Sequence, residues 1–313
     1  MSKVHEALRR AEMAGALRPP AAPAAARPVA TPPPPPPDGR SYYRSNGAPS
    51  TGTLSMQEVL ARVEEVPFQP LADAHLLDAT RPSEAPAEEF RTLRTRLNHL
   101  QSLSPIRNIV VTSPSPAEGK SFTAVNLALA EAQLSGNLTL LADFDFRRPI
   151  VHSMFQVDRS PGITDYLMGK AELHQIIKKV AGTNLYIMPA GEAVLNPLEL
   201  LNLNDVKVLL DLLPTVFNWV ILDTPPLLFA ADASLLSTLC HGTVLVVRIG
   251  TTTIDSVTRA MQSLCENNVL GIAVNGARRG ELYSKYTYYH SYYYAAENAR
   301  KDGQDEEPGP LQG

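Results

Sequence analysis

Six short runs rich in β-branched residues, NIVVTS, LTLLAD, NLYIMPAG, WVILDTPP, GTVLVVR and LGIAVNG, punctuate residues 108 to 276, and segments of helical character separate them. This alternation constrains the fold more than any other feature. Parallel strands need a crossover of about a dozen residues, usually a helix, whereas antiparallel strands close with tight turns. The expected class is therefore α/β, a mostly parallel sheet with helices on both faces. One domain, residues 82 to 280, accounts for the pattern, and no internal repeat interrupts it.

The flanks read differently. Residues 1 to 15 suit a short helix with Val4, Leu8 and Ala11 on one side, which either docks on something or is a frayed end. From Ala16 to Ser50 the composition shifts: 11 of the 27 prolines fall there, including the run Pro32 to Pro37. Proline lacks the N–H and fixes φ, so residues 16 to 81 are expected to form an extended linker, used as a spacer or as a ligand for a proline-binding module. Order is expected from about Pro82, where Phe90, Leu93, Leu97 and Leu100 recur at helical spacing. Glu88, Arg91 and Arg94 form a charged stripe beside that apolar face.

Charge and cysteine content exclude some functions. The formal net charge of −4 argues against nucleic-acid binding, which needs a basic footprint. Cys240 and Cys265 stand alone, with no CxxC, and read as reduced residues. The charged N-terminus is no signal peptide, and Asp223, Asp232 and Pro225–Pro226 break the longest apolar stretch. A cytoplasmic protein is expected, reaching a membrane only through a partner.

Three motifs carry chemistry. In TSPSPAEGKSF, Gly119-Lys120-Ser121 lies between a strand and an apolar-periodic helix, the setting of a phosphate-binding loop. Backbone N–H groups there receive phosphate oxygens, Lys120 supplies a cation and the Ser121 hydroxyl suits Mg²⁺. The contacting stretch is Ala117, Glu118, Gly119, Lys120, Ser121 and Phe122. Pro114 occupies the first glycine position of GxxxxGK[ST], and a plain turn before a helix is the alternative. In LTLLADFDFRRP, Asp143 and Asp145 close a strand; an extended chain would turn both carboxylates to one side, near the phosphate loop. Local pairing with Arg147 is the alternative there. In WVILDTPP, Asp223 ends an apolar strand at the position of a magnesium-binding carboxylate. Together, in this order, the three indicate a nucleotide-binding enzyme.

The last feature is YSKYTYYHSYYY, residues 283 to 294, which holds seven of eleven tyrosines: Tyr283, Tyr286, Tyr288, Tyr289, Tyr292, Tyr293 and Tyr294. On its residues alone this is either a set of phosphate acceptors or an aromatic tail that stacks on a partner.

Loop, double aspartate, strand-end aspartate and terminal tyrosines, in that order, resemble the bacterial tyrosine kinases of capsule and exopolysaccharide synthesis. EEFRTLR, RRPIVHSMF, GITDYLMG and NPLELL are similar to that family too, and the resemblance spans residues 82 to 294. Ala117 stands where the family usually has glycine, and Pro114 where it has a small residue. The resemblance implies a P-loop NTPase-like fold, ATP and Mg²⁺, and transfer of the γ-phosphate to the terminal tyrosines (residues 281 to 313 form the tail) of a neighbouring copy. Lys120 is expected to bind the phosphates; Ser121, Asp223 and Asp145 to organise Mg²⁺; Asp143 to orient the phenol and take its proton, with Asp145 in support. Arg147 is expected to hold these carboxylates. The resemblance further implies a ring-shaped oligomer built through Glu88, Arg91 and Arg94, and a membrane polysaccharide copolymerase as activator. Two rivals stay open: a partition-type ATPase, whose signature lysine is here Ser115, and a non-catalytic scaffold of a polysaccharide machine.

Overall fold

The structure is a computed structural model describing residues 55–69, 75–77, 87–264 and 269–277. All of them belong to one unit, residues 52–313; the other, residues 1–51, lies outside the description. So do the N-terminal helix, the proline run, Cys265 and the tyrosine cluster expected above.

Eight strands form one sheet in the order β1-β4-β5-β3-β6-β2-β7-β8: β1 Glu64–Val66, β2 Asn108–Thr112, β3 Thr139–Asp143, β4 Lys178–Val180, β5 Leu185–Met188, β6 Trp219–Asp223, β7 Gly242–Arg248 and β8 Val269–Asn275. Pairing is parallel except between β4 and β5, which join through a short hairpin. The six β-branched runs supply six of these strands; β1 and β4, three residues each, were not expected. In β2, β3 and β6 every residue is buried, as the centre of a doubly covered parallel sheet requires.

Side chains alternate between two apolar layers. Ile109, Val111, Leu141 and Ile221 face α2 (Ala87–Leu103) and α3 (Lys120–Ala132), packing with Phe90, Leu97, Val125 and Leu127. Val110, Leu140, Ala142 and Leu222 face the other way, onto a layer that includes α4 (Asn204–Leu212) and α5 (Asp232–Leu239). A smaller cluster under α6 (Ile254–Ser263) covers β7.

One boundary needs correction. Residues 56 to 66, assigned above to the linker, contain α1 (Met56–Ala61) and β1. The proline run has ended by then, and Ser55 and Glu58 close a capping box: Ser55 Oγ accepts from the Glu58 N–H at 3.3 Å, and the Ser55 N–H donates to Glu58 Oε2 at 2.7 Å. Met56 and Val59 are buried in the core, and β1 pairs with β4. Among the described residues no helix is long and apolar enough to cross a membrane.

Candidate active site

The site lies at the carboxyl ends of β2, β3 and β6, where open α/β sheets place ligands. Asp143 and Asp223 are register partners on the adjacent strands β3 and β6. Each lies two residues beyond a side chain of the α3-facing layer, Leu141 and Ile221, so both carboxylates turn to that face. The first residue of α3 is Lys120, and its ammonium reaches back over the sheet edge. Lys120 Nζ stands 2.8 Å from Asp145 Oδ2, 3.5 Å from Asp223 Oδ1 and 3.1 Å from Ser121 Oγ. Sequence reasoning put these five side chains in one place, and the fold brings them together.

Asp145 arrives there by a route the sequence did not suggest. The strand stops at Asp143, because the Asp143 carboxylate captures the chain that follows: Oδ1 accepts from the Asp145 N–H at 3.2 Å, and Oδ2 from the N–H groups of Ile150 and Val151, each at 3.1 Å. Asp145 Oδ1 in turn accepts from the Arg148 N–H at 3.0 Å. A turn, and not a continued strand, presents Asp145 to Lys120.

Arg147 also departs from expectation. Its guanidinium does not hold the site carboxylates but clamps Asp232, buried at the start of α5, through Nε at 2.8 Å and Nη2 at 3.1 Å. A planar fork matches a carboxylate bidentately. The pair ties the aspartate turn to the segment after β6.

The electrostatics follow from crowding anions out of water. Burial raises the proton affinity of Asp143 well above the ordinary carboxylate range, and the charge on Asp223 adds to this, against the lowering N–H of Val151. Burial also holds Asp223 up, opposed by Lys120. For Lys120 itself, burial favours the neutral amine, but Asp223 and then Asp145 outweigh it and hold the ammonium above its usual value. The cation is therefore fixed where anions converge. Both Asp223 oxygens are buried, and Lys120 Nζ stands 3.5 Å from Oδ1. Two unsolvated carboxylate oxygens and the Ser121 hydroxyl, gathered about one ammonium, are hard donors that fit Mg²⁺, which is held by one or two carboxylates together with substrate phosphates.

The loop before α3 completes the site. Gly119, at φ 97°, caps the helix without a side chain, leaving its N-terminal N–H groups open to an anion. A Cβ on Gly119 would lie 1.9 Å from Asn275 Nδ2, so a larger residue would displace that side chain and would be strained at this φ. Ala117 adopts φ 62°, the conformation in which the usual glycine carries no penalty. Four functional neighbours escaped sequence reasoning: Asp232, Arg248, Thr252 and Asn275. Only Asn275, closing an apolar strand in LGIAVNG, carried any signal.

A parallel sheet ending in a glycine–lysine–serine loop and paired strand-end carboxylates defines a nucleotide-binding protein of the P-loop type. No protein-family model matches the chain. It is 34% identical over 217 residues to the tyrosine-protein kinase YwqD of Bacillus subtilis, covering 69% of this chain and 91% of that relative. It is 31% identical over 217 residues to the tyrosine-protein kinase etk of Escherichia coli, spanning only 29% of that longer protein. Among solved structures, the kinase domain of E. coli ETK superposes with a TM-score of 0.61 at 28% identity, covering 72% of this chain and 96% of that one. The BceF tyrosine kinase domain does so with a TM-score of 0.56 at 29% identity, covering 69% and 93%. The chain belongs to the bacterial tyrosine-protein kinase family.

Proposed function

We propose that the protein transfers the γ-phosphate of ATP to tyrosines of its own C-terminal cluster, presented by a second copy. The observation that carries this reading is the convergence of Lys120, Asp143, Asp145 and Asp223 at the first turn of the helix that bears the phosphate loop. Phosphoryl transfer leaves little covalent work to the protein, so positioning and charge compensation dominate.

The loop from Ala117 to Phe122 offers backbone N–H groups to the phosphates. Lys120, held protonated, is the cation for the β- and γ-phosphates. Ser121, Asp223 and Asp145 are the residues to hold Mg²⁺, which when bound neutralises charge developing on the transferred group. Asp143 orients the phenol and receives its proton. Three of its roughly four lone-pair sites are taken by backbone N–H groups, leaving one on Oδ1. Its raised proton affinity narrows the gap to a phenol of pKa about 10, the direction a proton acceptor needs.

Self-association in trans is part of the same reading, as a ring through Glu88, Arg91 and Arg94, with a membrane polysaccharide copolymerase as activator and polymer synthesis as the process controlled. On α2, Arg91 pairs with Glu88 at 2.9 Å on the surface, while Arg94 donates to Ala130 O at 2.8 Å within the same chain. Arg91 is thus freer to exchange its partner for one on a neighbour. The domain boundaries at residues 82 and 280 belong to this proposal as well, with the folded part extended back to Ser55.

The test incubates a Lys120→Met subunit with an active subunit lacking residues 281–313, labelled ATP and Mg²⁺. Phosphotyrosine on the Lys120→Met chain is expected. An unmodified chain in that mixture, with nucleotide bound by the active partner, refutes the acceptor role and favours the scaffold rival.

A further inference from the structure

The phosphate loop contains two residues that do not suit it in isolation. Ala117 sits at φ 62°, where an L side chain is disfavoured. Glu118 brings a carboxylate, 1% exposed, into a loop whose task is to receive anions. Both are held by groups from β7, the strand beside β2, from the turn that follows it and from β8.

Glu118 Oε2 accepts from the Ser115 N–H at 2.8 Å, closing the loop on itself. Its Oε1 accepts from Thr252 Oγ1 at 2.6 Å. The Thr252 hydroxyl accepts in turn from the Arg248 N–H at 2.8 Å, so its one proton is committed to Glu118. The Arg248 guanidinium donates to Ala117 O at 3.1 Å, and Asn275 Nδ2 to Glu118 O at 3.0 Å. Two successive loop carbonyls and the loop's only carboxylate are thereby bound to the end of β7, the turn after it and the end of β8.

We infer that Thr252, with Arg248 and Asn275, is a positioning residue for nucleotide binding. These groups hold the phosphate loop in the conformation that glycine at position 117 would adopt unaided. The buried carboxylate of Glu118 is the handle they grip, and its charge is spent on two donors instead of facing phosphate. Hydrogen bonds to charged acceptors are the stronger ones, and a relay in which each hydroxyl lone pair and proton has one partner is specific in direction. This inference rests on the reading of the loop as a nucleotide site.

Thr252→Val removes the hydroxyl and keeps the shape; Thr252→Ser keeps the hydroxyl. The dissociation constant for a fluorescent ADP and the KM for ATP should each rise about tenfold in Thr252→Val, as expected for losing one hydrogen bond to a charged acceptor. The kcat should change less than about threefold, because the chemistry at Asp143 is untouched. Thr252→Ser should bind as the wild type does. Adding Ala117→Gly to Thr252→Val should recover most of the lost affinity. A Thr252→Val protein that binds nucleotide normally overturns the inference, and so does a tenfold loss that Ala117→Gly leaves unchanged. Arg248→Met, altered at an exposed side chain, is the second probe if Thr252→Val does not fold; unaltered affinity there also overturns it. Wild-type protein that binds no ADP overturns the nucleotide-site reading itself, which separates the two failures.

Discussion

Two loops meet Lys120 at the carboxyl edge of the sheet, and the balance of local and long-range ties differs between them. The turn after β3 is fixed mainly from within: Asp143 takes the N–H groups of Asp145, Ile150 and Val151, and Asp145 that of Arg148, none more than eight residues away, with the Arg147–Asp232 pair as its long-range tie. The phosphate loop closes on itself through Ser115 and Glu118 but is otherwise fixed from outside, by Arg248, Thr252 and Asn275, which lie 131, 134 and 157 residues along the chain from their partners. A turn that carries its own acceptors keeps its shape wherever the fold puts it. A loop shaped by distant donors has its shape only once the sheet has assembled. The difference separates what should fail in stability from what should fail in binding.

Removing a side chain that links both loops should have the largest effect. Lys120 springs from the phosphate loop and ends on Asp145 and near Asp223. Lys120→Met should lower autophosphorylation by three or more orders of magnitude, the consequence of losing about 4 kcal/mol of charge stabilisation. It should leave the domain folded, since relief from desolvating the ammonium offsets some of the lost pairing. Residual tyrosine phosphorylation within about tenfold of wild type would remove Lys120 from the site.

Next comes the turn fixed from within. Asp143→Ala leaves three N–H groups without their acceptor, at about 1 to 3 kcal/mol each, and relieves repulsion from Asp223 and Asp145. A net loss of about 3 kcal/mol is expected in denaturant titration, together with lost phosphorylation. If stability holds while activity vanishes, Asp143 is purely chemical and the turn has other supports.

The same contrast explains what could be read in advance. The aspartate pair, the phosphate loop and the strand-end Asp223 were legible because each packs its chemistry into a few consecutive residues, although the turn that presents Asp145 was not. The six short apolar runs were legible for the same reason. Strand β4 was not, since Lys178 and Lys179 give three residues no apolar pattern and their ion pairs with Glu64 and Glu65 exist only across the chain. Arg147 was assigned to the nearest carboxylates in sequence, and the fold gave it Asp232 instead, 85 residues on. Thr252 is an ordinary hydroxyl in a surface turn until β7 brings it to Glu118.

External fixing continues along α3, and pH should expose it. Glu131, near the far end of that helix, is buried and hydrogen-bonded to Asn98 Nδ2 of α2, whose Oδ1 accepts from Trp219 Nε1. Burial raises its pKa from 4.5 to about 7, against the lowering effects of Asn98, Arg94 and Asn137. The folded protein therefore binds a proton there that the unfolded chain has released between those values. This contribution to stability is complete below 4.5 and is lost as pH rises through about 7. Glu131→Gln should flatten that part of the profile, by on the order of 3 kcal/mol between about pH 4 and pH 8. Parallel stability profiles for the two proteins would show that Glu131 ionises normally.

The smallest effect tests the comparison most directly. Ala117 is strained at φ 62°, and its carbonyl accepts from Arg248. Alanine in the left-handed region costs roughly 1 to 2 kcal/mol, which Ala117→Gly would release. Glycine, however, has more backbone freedom to lose on folding, a penalty of about 0.4 to 1 kcal/mol. The two nearly cancel, so a net gain below about 1 kcal/mol is expected, read as a rise of no more than about 4 °C in Tm. Because Arg248, Thr252 and Asn275 already hold the loop, nucleotide affinity should improve less than about threefold. An improvement of tenfold or more would mean that the loop of the wild-type chain is not held in its binding shape, and the phosphate loop would then lack the external support that distinguishes it from the aspartate turn.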